Sequence, residues 1–257
     1  MTARGSDLFS LSSKTFLVTG GTRGIGQAIS LRFARAGAKV IANYLRNEQS
    51  VEQLKAVAGQ EGLSIVFCRA DLTSERGLEQ LDRSLQDCAT HLSGMVHCAA
   101  TGIHRPIEEL TERHFDWTFN LNVRAFFKLI KLLMTRFSRG SSIVALSSWG
   151  ASRALPYYSL VGSSKGALES LARHLAVELA PRGIRVNILT AGAVLTDAWK
   201  AIPNSEERIA ETIRRTPAGR LVTAEDVAWG AQFLCSDAAA AIIGQTLVID
   251  GGAGIMA

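Results

Sequence analysis

The sequence predicts an α/β fold with a single doubly wound parallel sheet. Short apolar segments alternate with segments whose apolar residues recur at helical spacing along the whole 257-residue chain. This alternation is typical of repeated β–α units. The strand-like segments are apolar throughout, as expected for strands that are covered by helices on both faces. Right-handed crossovers between such strands give a Rossmann-type sheet.

The predicted strands and helices follow one another without an interruption that would divide the chain. Strands are predicted at 15–20, 39–44, 64–70, 94–100, 141–148, 184–192 and 245–250. Helices are predicted near 23–37, 47–61, 75–90, 111–138 and 158–180. We therefore expect one domain over 14–257, preceded by a flexible polar extension at 1–13. The irregular stretch 193–220 is expected to form a lid over the substrate.

The composition excludes several classes of protein. Apolar residues make up 47% and charged residues 20%, and no apolar run reaches the roughly 18–20 residues of a membrane span. The N-terminus has no apolar core of signal-peptide length, so we expect a cytoplasmic protein. The net charge of +5 comes without a basic run or basic–aromatic interleaving, so no nucleic acid is expected as a partner. The four cysteines lack C-x-x-C spacing and the five histidines lack ligand spacing, so no metal site is predicted.

A glycine-rich turn after the first predicted strand is typical of dinucleotide binding. The stretch TGGTRGIG (19–26) has the spacing G-x-x-x-G-x-G. Glycine lets the backbone approach a pyrophosphate closely, and the helix that follows offers free N–H groups and a positive dipole end. The turn residues expected to contact this cofactor are Gly20, Thr22, Arg23, Gly24, Ile25 and Gly26.

The end of the second predicted strand favours NADPH over NADH. An NAD site usually has Asp or Glu there for the ribose 2′-hydroxyl, whereas this chain reads Ala-Asn-Tyr44-Leu-Arg46. Arg23 and Arg46 can instead clamp a 2′-phosphate, because a guanidinium matches phosphate geometry. The alternative is that both arginines point into solvent. Asp71, after the third strand, is placed either to meet the adenine or to cap the following helix.

Tyr158 and Lys165 are the candidate catalytic pair. Seven helical residues turn about 700° and four turn about 400°, so a tyrosine at either distance faces the side of Lys165. The position four residues before Lys165 is Val161, which has no proton to give. A packing role at the start of the helix is the alternative for Tyr158. Tyr157 faces about 100° away and is expected to pack.

These motifs together resemble the short-chain dehydrogenase/reductase family over about residues 14–252. The resemblance is carried by TGGTRGIG, Asp71-Leu72, Asn122, Ser148, Lys165 and the late AGAVLTD and DGG segments. It implies that Asn122, Ser148, Tyr158 and Lys165 act together, with Lys165 also holding the nicotinamide ribose. It further implies cofactor contacts from Tyr44, Arg46, Asp71, Leu72, Ala99, Ala191, Gly192, Val194 and Thr196.

Within that family the tyrosine more commonly stands four residues before the lysine, and the branch with tyrosine seven residues before it, as here, is the enoyl-acyl-carrier-protein reductases. Residues 152–179 resemble that branch, and residues 114–122, 196–204 and 216–221 resemble its NADPH-dependent type III enzymes. The resemblance implies reduction of the C2=C3 bond of a trans-2-enoyl thioester, carried by acyl carrier protein or coenzyme A, in fatty-acid or related acyl-chain synthesis. It also implies a homotetramer built through the fourth and fifth long helices. In ketone reduction, hydride and proton go to adjacent atoms of one carbonyl. In enoyl-thioester reduction, hydride goes to C3 and negative charge collects on the thioester oxygen, two bonds further along the conjugated system. A phenol displaced along the helix suits the second geometry.

Several readings stay open at this point. A carbonyl reductase that uses Tyr158 on a ketone is the second candidate function, and a non-catalytic dinucleotide-binding protein is the third. The proton returned at C2 comes either from Tyr158 or from water. His97-Cys98-Ala99-Ala100 stands where the family has Asn-Asn-Ala-Gly and can alter how the adenosine side is held. Ala191-Gly192 stands where Pro-Gly is frequent.

Individual side chains also keep alternatives. Ser148 either orients substrate or ends its strand, and Asn122 either supports a water relay or bridges backbones. Trp149 lines the acyl pocket or contacts another subunit. Charges near the lid either meet an acidic carrier protein or form a solvated face: Lys200, Arg208, Arg214 and Arg215. A basic stripe on the fourth helix is read as surface: Arg124, Lys128 and Lys131.

Overall fold

The computed structural model describes residues 7–194 and 205–256. Its sheet contains β1 (Thr15–Thr19), β2 (Lys39–Tyr44), β3 (Ile65–Arg69), β4 (Leu92–His97), β5 (Phe137–Ser148), β6 (Arg185–Ala191) and β7 (Thr246–Ile249). The seven strands are parallel, in the order β3-β2-β1-β4-β5-β6-β7. The order reverses between β1 and β4, and this switch opens a crevice at the carboxyl ends of the strands. The predicted fold class is confirmed.

Helices cover both faces of this sheet. They are α1 (Gly24–Arg35), α2 (Glu48–Gln60), α3 (Glu75–Cys88), α4 (Glu112–Phe119), α5 (Ala125–Leu133), α6 (Ser159–Leu179), α7 (Ser205–Arg215) and α8 (Ala224–Cys235). Along β1, Leu17 joins the apolar layer shared with α3, α5 and α6, while Phe16 and Val18 join the layer shared with α1 and α8. Alternate side chains of one strand therefore build two cores, which explains why the strands are apolar throughout.

The long fourth helix differs from its predicted extent. It is interrupted after α4 by a π-segment, Asn120–Arg124, and ends with α5 at Leu133 rather than near 138. β5 begins at Phe137, four residues earlier than predicted. The prediction failed because the apolar pattern continues from α5 into the strand. A π-bulge often marks a functional position, and this one holds Asn122.

The start of α6 corrects the helical-wheel argument for Tyr158. The helix begins at Ser159, and Tyr158 is its N-cap with φ −115° and ψ 10°, outside the helical region. Tyr157, just before it, has a positive φ of 59°. A seven-residue helical stagger therefore does not describe the placement of Tyr158. The phenol reaches its position from the cap, and its surroundings have to be read from contacts.

The sequence analysis did not predict α7 and α8. α8 begins with a capping box in which Thr223 and Asp226 satisfy each other's backbone amides, a signal present in the sequence as Thr-Ala-Glu-Asp. α7 lies inside the stretch 193–220 that was expected to be irregular. Residues 195–204 of that stretch lie outside the described residues, so the lid stays a prediction. The flexible extension at 1–13 also stays a prediction: residues 1–6 lie outside the described residues, while Leu11 is buried in the apolar core. No helix in the described ranges is long and apolar enough to cross a membrane.

Candidate active site

The turn between β1 and α1 requires glycine at two positions. Gly20 has φ +61°, and a Cβ there would lie 3.1 Å from the Cα of Ala99. A Cβ at Gly26 would lie 2.1 Å from the carbonyl oxygen of Gly20. Helix α1 therefore rests directly on the turn, and the turn rests on the chain leaving β4. Both contacts bring bare backbone to the crevice at the switch point.

The N-terminus of α1 is prepared for an anion. Arg23 occupies the N-cap position without a side-chain hydrogen bond to the helix, and the first turn holds no acidic residue. The first N–H groups of α1 are thus left without a side-chain cap, and the dipole adds positive potential. Thr22 is buried beside them, whereas Arg23 and Gly24 are exposed. These residues fit the pyrophosphate of a dinucleotide.

The ends of β2 and β3 form the region predicted for the adenosine. Arg46 and Arg23 are both exposed, and Arg69 donates to the Leu45 carbonyl at 3.1 Å and to Glu48 at 3.1 Å. Tyr44 donates to the same Glu48 at 3.3 Å, and burial together with that carboxylate raises the pKa of Tyr44. Sequence reasoning missed Arg69, because nothing in the pattern shows which face of the strand end it occupies.

Asp71 lines a surface cleft in this region. The lining residues are Leu45, Arg69, Ala70, Asp71, Ser74, Arg76, Gly77 and Gln80. The helix N-cap alternative for Asp71 is wrong, since Ser74 caps α3 by accepting from the Gly77 amide at 3.1 Å. Asp71 instead accepts from the amide and hydroxyl of Thr73 at 2.9 and 2.6 Å. Its neighbour Leu72 is buried in the core.

Ser148 and Tyr158 are brought together at the carboxyl edge of the sheet. Ser148 ends β5, and its Oγ lies 3.2 Å from the Tyr158 hydroxyl. The tyrosine ring fits against two glycines, since a Cβ at Gly150 would lie 2.4 Å from the ring and a Cβ at Gly162 3.4 Å from it. The two glycines leave free the space that the ring occupies. The hydroxyl is thereby aimed at Ser148 and at the crevice.

Lys165 enters the same region from the second turn of α6. Its side chain is buried, and Nζ donates to the Leu146 carbonyl at 2.7 Å. Burial lowers the pKa of Lys165 to about 8, while Cys98 and Glu169 act in the opposite direction. The ammonium is thus held in a low-dielectric site next to β5, two residues before Ser148 along that strand. Perturbed lysines of this kind concentrate at functional sites.

Position 161 is closed to the crevice. Val161 is 6% exposed, and its Cγ2 lies 2.1 Å from where a Cβ at Gly102 would stand. The loop after β4 therefore packs directly on the side chain that occupies the more common tyrosine position. A tyrosine at 161 would have to push this loop away. Among the described residues, the phenol that pairs with Ser148 is that of Tyr158.

Asn122 joins the π-segment to that loop. Its Oδ1 accepts from the Thr101 amide at 2.9 Å, and its Nδ2 donates to the Thr101 carbonyl and to Ser164 Oγ, both at 2.9 Å. The side chain is fully buried. Of the two roles considered for Asn122, the bridging one is what these contacts describe. A water relay stays a prediction.

His97 explains the unusual end of β4. Thr19 Oγ1 accepts from the amides of Cys98 and Ala99, each at 3.1 Å, so its own hydrogen points to His97 Nδ1 at 3.0 Å. The ring proton of His97 then belongs on Nε2. Burial, and next the charge of Lys165, lower the pKa of His97 to about 3. The imidazole is therefore neutral, and its hydrogen bond with Thr19 joins β4 to β1.

The segments at the carboxyl ends of β5, β6 and β7 are joined by hydrogen bonds. Trp149 Nε1 donates to Asp250 Oδ2 at 3.1 Å, and the acyl-pocket and subunit-contact readings of this residue stay predictions. Gly192 follows β6 and donates its amide to the Ile249 carbonyl at 2.8 Å. Ala191 is buried, and Val194 pairs in a parallel bridge with Val222. Thr196 lies outside the described residues.

One side chain near Tyr158 was not anticipated. The His104 ring centroid lies 5.0 Å from that of Tyr158, with the planes tilted by 54°. His104 remains exposed, and partial burial lowers its pKa. No spacing or motif signals this contact, because it depends on the path of the loop after β4.

The predicted charged surfaces are largely paired. Lys128 pairs with Glu75, Arg124 donates to Asn120, and Lys131 lies over the Phe127 ring. Arg214 and Arg215 both pair with Glu211. Lys200 and the side chain of Arg208 are outside the described residues. Among the residues the structure describes, no group of three or more His, Cys, Asp or Glu side chains can hold a metal ion.

The fold and the glycine-rich turn define a class of protein, an oxidoreductase that binds a nicotinamide dinucleotide at the carboxyl edge of a parallel sheet. Residues 20–254 match the family model described as "Enoyl-(Acyl carrier protein) reductase". The chain belongs to the short-chain dehydrogenase/reductase family. This confirms the family resemblance drawn from the sequence.

Similar proteins differ in their substrates. The chain is 36% identical over 244 residues to 1-cyclohexenylcarbonyl-CoA reductase of Streptomyces collinus, covering 94% of this chain and 87% of that protein. It is 32% identical to 7α-hydroxysteroid dehydrogenase complexed with NADH and 7-oxo glycochenodeoxycholic acid, with TM-score 0.91 and coverage of 97% and 98%. It is 30% identical to an NADH-dependent enoyl-[acyl-carrier-protein] reductase of Aquifex aeolicus, with TM-score 0.86 and coverage of 96% and 98%.

Proposed function

We propose that this protein reduces the C2=C3 bond of a trans-2-enoyl thioester, carried by coenzyme A or an acyl carrier protein, with NADPH. The observation that carries the proposal is the closed position 161. Val161 packs against Gly102 and holds the position four residues before Lys165. Among the described residues, the phenol that pairs with Ser148 is instead that of Tyr158. The similarity to 1-cyclohexenylcarbonyl-CoA reductase supports the same substrate class, since that name describes an unsaturated acyl-CoA.

The side chains of the site have distinct tasks in this reaction. A reduced nicotinamide, when bound, would supply the hydride that C3 receives. The Tyr158 hydroxyl, oriented by Ser148, donates a hydrogen bond to the thioester oxygen, where negative charge collects. The buried Lys165 ammonium adds positive potential, which favours that charge and the polarised phenol. Asn122 holds the loop that borders the substrate side.

The preference for NADPH rests on the ends of β2 and β3. No carboxylate occurs between Ala42 and Arg46, and Arg46 and Arg23 are exposed at the rim of the crevice. Glu48, the first carboxylate along the chain after this strand end, is engaged by Arg69 and Tyr44. We expect Arg46→Gln to lower kcat/KM for NADPH while leaving that for NADH nearly unchanged, because only the 2′-phosphate contact is removed.

A second copy of the chain is proposed as a partner through α4, α5 and α6. Large apolar side chains are exposed on these helices: Phe115, Trp117, Phe127 and Val177. Exposed apolar side chains that cluster into a patch usually mark an interface. The proposed assembly is a homotetramer.

A carbonyl reductase is the second candidate function. The Ser148–Tyr158 hydrogen bond also suits proton donation to a ketone oxygen, and a similar solved structure contains a 7-oxo steroid. In a ketone the same phenol must complete the reaction at the carbonyl oxygen, whereas in an enoyl thioester it only stabilises charge there.

The test follows NADPH oxidation with crotonyl-CoA and longer trans-2-enoyl thioesters beside 3-ketoacyl thioesters. We expect consumption with the enoyl substrates, reduced about 10²-fold or more in Tyr158→Phe, because one preorganised donor is removed. Tyr157→Phe is the matched control and should keep wild-type activity. Turnover with ketoacyl substrates alone would replace the proposal with the carbonyl reductase. NADPH binding without turnover of either would leave a non-catalytic dinucleotide-binding protein.

A further inference from the structure

The loop after β4 is held in place where it passes the reacting groups. Asn122 pairs with both backbone groups of Thr101, and Gly102 packs on Val161. Two successive residues are thus fixed, one against the π-segment and one against α6. His104 follows two residues later and reaches the ring of Tyr158. Its position is therefore set by the fold, although the ring is open to solvent.

The proposed reaction needs one donor at the thioester oxygen and another at C2, two atoms that are both bonded to the thioester carbon. The Tyr158 hydroxyl is hydrogen-bonded to Ser148 and would bind the thioester oxygen. After hydride addition at C3, the enolate still has to gain a proton at C2, which is bonded to the thioester carbon rather than to the oxygen. A second donor beside Tyr158 would answer this need. His104 is the imidazole in that position.

We propose that His104 delivers the proton to C2 of the enolate, an inference that rests on the proposed function. The N–H bond of the imidazolium breaks, and the new C2–H bond uses the electron pair of the enolate. The ring is left neutral and takes its next proton from water, which its exposure allows. The sum of the two steps is one hydride and one proton added across the double bond.

The surroundings of His104 agree with this role. Burial alone lowers its pKa, which makes the imidazolium a stronger acid and also makes it the minor form of the free ring at neutral pH. The ring contacts Tyr158, the N-cap of α6, whose hydroxyl pairs with Ser148 at the end of β5. The neighbouring charge in the chain, Arg105, faces Glu109 at 3.6 Å, and the buried Lys165 is bonded to the Leu146 carbonyl. An enolate formed beside the ring would favour its protonated state until the transfer.

Two other histidines close in sequence cannot take this part. His97 is buried, and its Nδ1 is engaged by Thr19. His114 belongs to the capping box of α4, where its Nδ1 accepts from the Thr111 amide at 3.3 Å. His114→Gln keeps an acceptor that suits a capping box and is therefore the matched control for His104→Gln.

The experiment measures where and how the C2 proton arrives. Crotonyl-CoA is reduced with NADPH in D2O, and the configuration of deuterium at C2 of the product is determined by NMR. The wild-type enzyme and His114→Gln should give one configuration. His104→Gln and His104→Phe should lose this selectivity and about 10²-fold in kcat, because water replaces a positioned acid. The phenylalanine variant keeps a ring against Tyr158 and separates proton transfer from packing.

The outcomes separate the inference from the proposed function. NADPH binding, followed by fluorescence, and the thermal midpoint should be unchanged in both His104 variants. Retention of a single C2 configuration with kcat within about twofold in these variants would overturn the role of His104 and leave enoyl reduction standing. Absence of turnover of any enoyl thioester by the wild-type enzyme would overturn the proposed function, and this inference with it.

Discussion

Lys165 shows that the site retains a charge in surroundings that disfavour it. The side chain is 6% exposed, and burial brings its pKa from 10.5 to about 8. A base with a depressed folded pKa binds fewer protons in the native state than in the unfolded chain, so it destabilises the fold below that pKa. The shift corresponds to a free energy on the order of 3 kcal/mol at neutral pH. Active-site groups commonly lower stability in this way.

Replacing this charge should stabilise the protein. We expect Lys165→Met to raise the free energy of unfolding at pH 7 by at most about 3 kcal/mol, less the lost hydrogen bond to the Leu146 carbonyl. The difference should shrink as the pH rises from about 8 towards 10.5, where the native lysine is already neutral. Urea unfolding at several pH values measures it. Lys55→Met, at an exposed position, should show no such slope. A loss of stability independent of pH would contradict the argument.

At the same scale, the sequence identified residues by type and spacing and missed those that depend on the chain path. Ser148, Tyr158 and Lys165 stand at fixed distances along one strand–helix unit, and the structure places the first two in contact. His104 comes from another loop and meets Tyr158 only because that loop folds back on Val161. The Trp149–Asp250 bond likewise joins segments about 100 residues apart.

At the scale of elements, the ends of most strands and of α1, α2, α3 and α6 were predicted within three residues. The exceptions are β5, which begins four residues earlier than predicted, and the fourth helix, which is broken into α4, the π-segment and α5. β2 is found at Lys39–Tyr44, as predicted, because it is bounded by Gly37 and a polar turn. The π-segment Asn120–Arg124 has no pattern of its own, since it depends on the tertiary bonds of Asn122. α8 was missed although its capping box was legible, because its apolar residues lie on most sides.

The π-segment should hold the loop after β4 in place, so a substitution in it should displace that loop. Asn122→Ala removes three buried hydrogen bonds and leaves the Thr101 amide and carbonyl unpaired, so we expect a loss of about 2–3 kcal/mol in the free energy of unfolding. Displacement of the loop should also lower kcat for the enoyl substrate.

Asn120→Ala is the control for this change. Asn120 accepts only from the exposed Arg124, so its replacement should alter stability by less than about 0.5 kcal/mol. Chemical denaturation and steady-state rates measure both variants. Equal effects of the two substitutions would show that the π-segment acts only as a helix and does not anchor the loop.

At the scale of the whole molecule, the switch between β1 and β4 gathers the site from distant parts of the chain. Three features lie at the carboxyl edge of the sheet: the N-terminus of α1, the Thr19–His97 hydrogen bond and the Ser148–Tyr158 pair. This arrangement was predictable because parallel sheets bind ligands at that edge. The outer faces of α4, α5 and α6 were predicted to form a subunit contact only through a family resemblance.

The assembly can be tested with one substitution on α6. Val177 is 75% exposed, and in a symmetric interface each contact would contain it twice, so Val177→Glu would place two unpaired carboxylates in an apolar patch. We expect the wild-type chain to elute as four copies of 27.6 kDa, and the variant to dissociate to smaller species, by size exclusion with light scattering. Gln60→Glu adds the same charge on α2 and should leave the tetramer intact. A wild-type monomer, or a Val177→Glu tetramer as stable as the wild type, would show that this face is not the subunit contact.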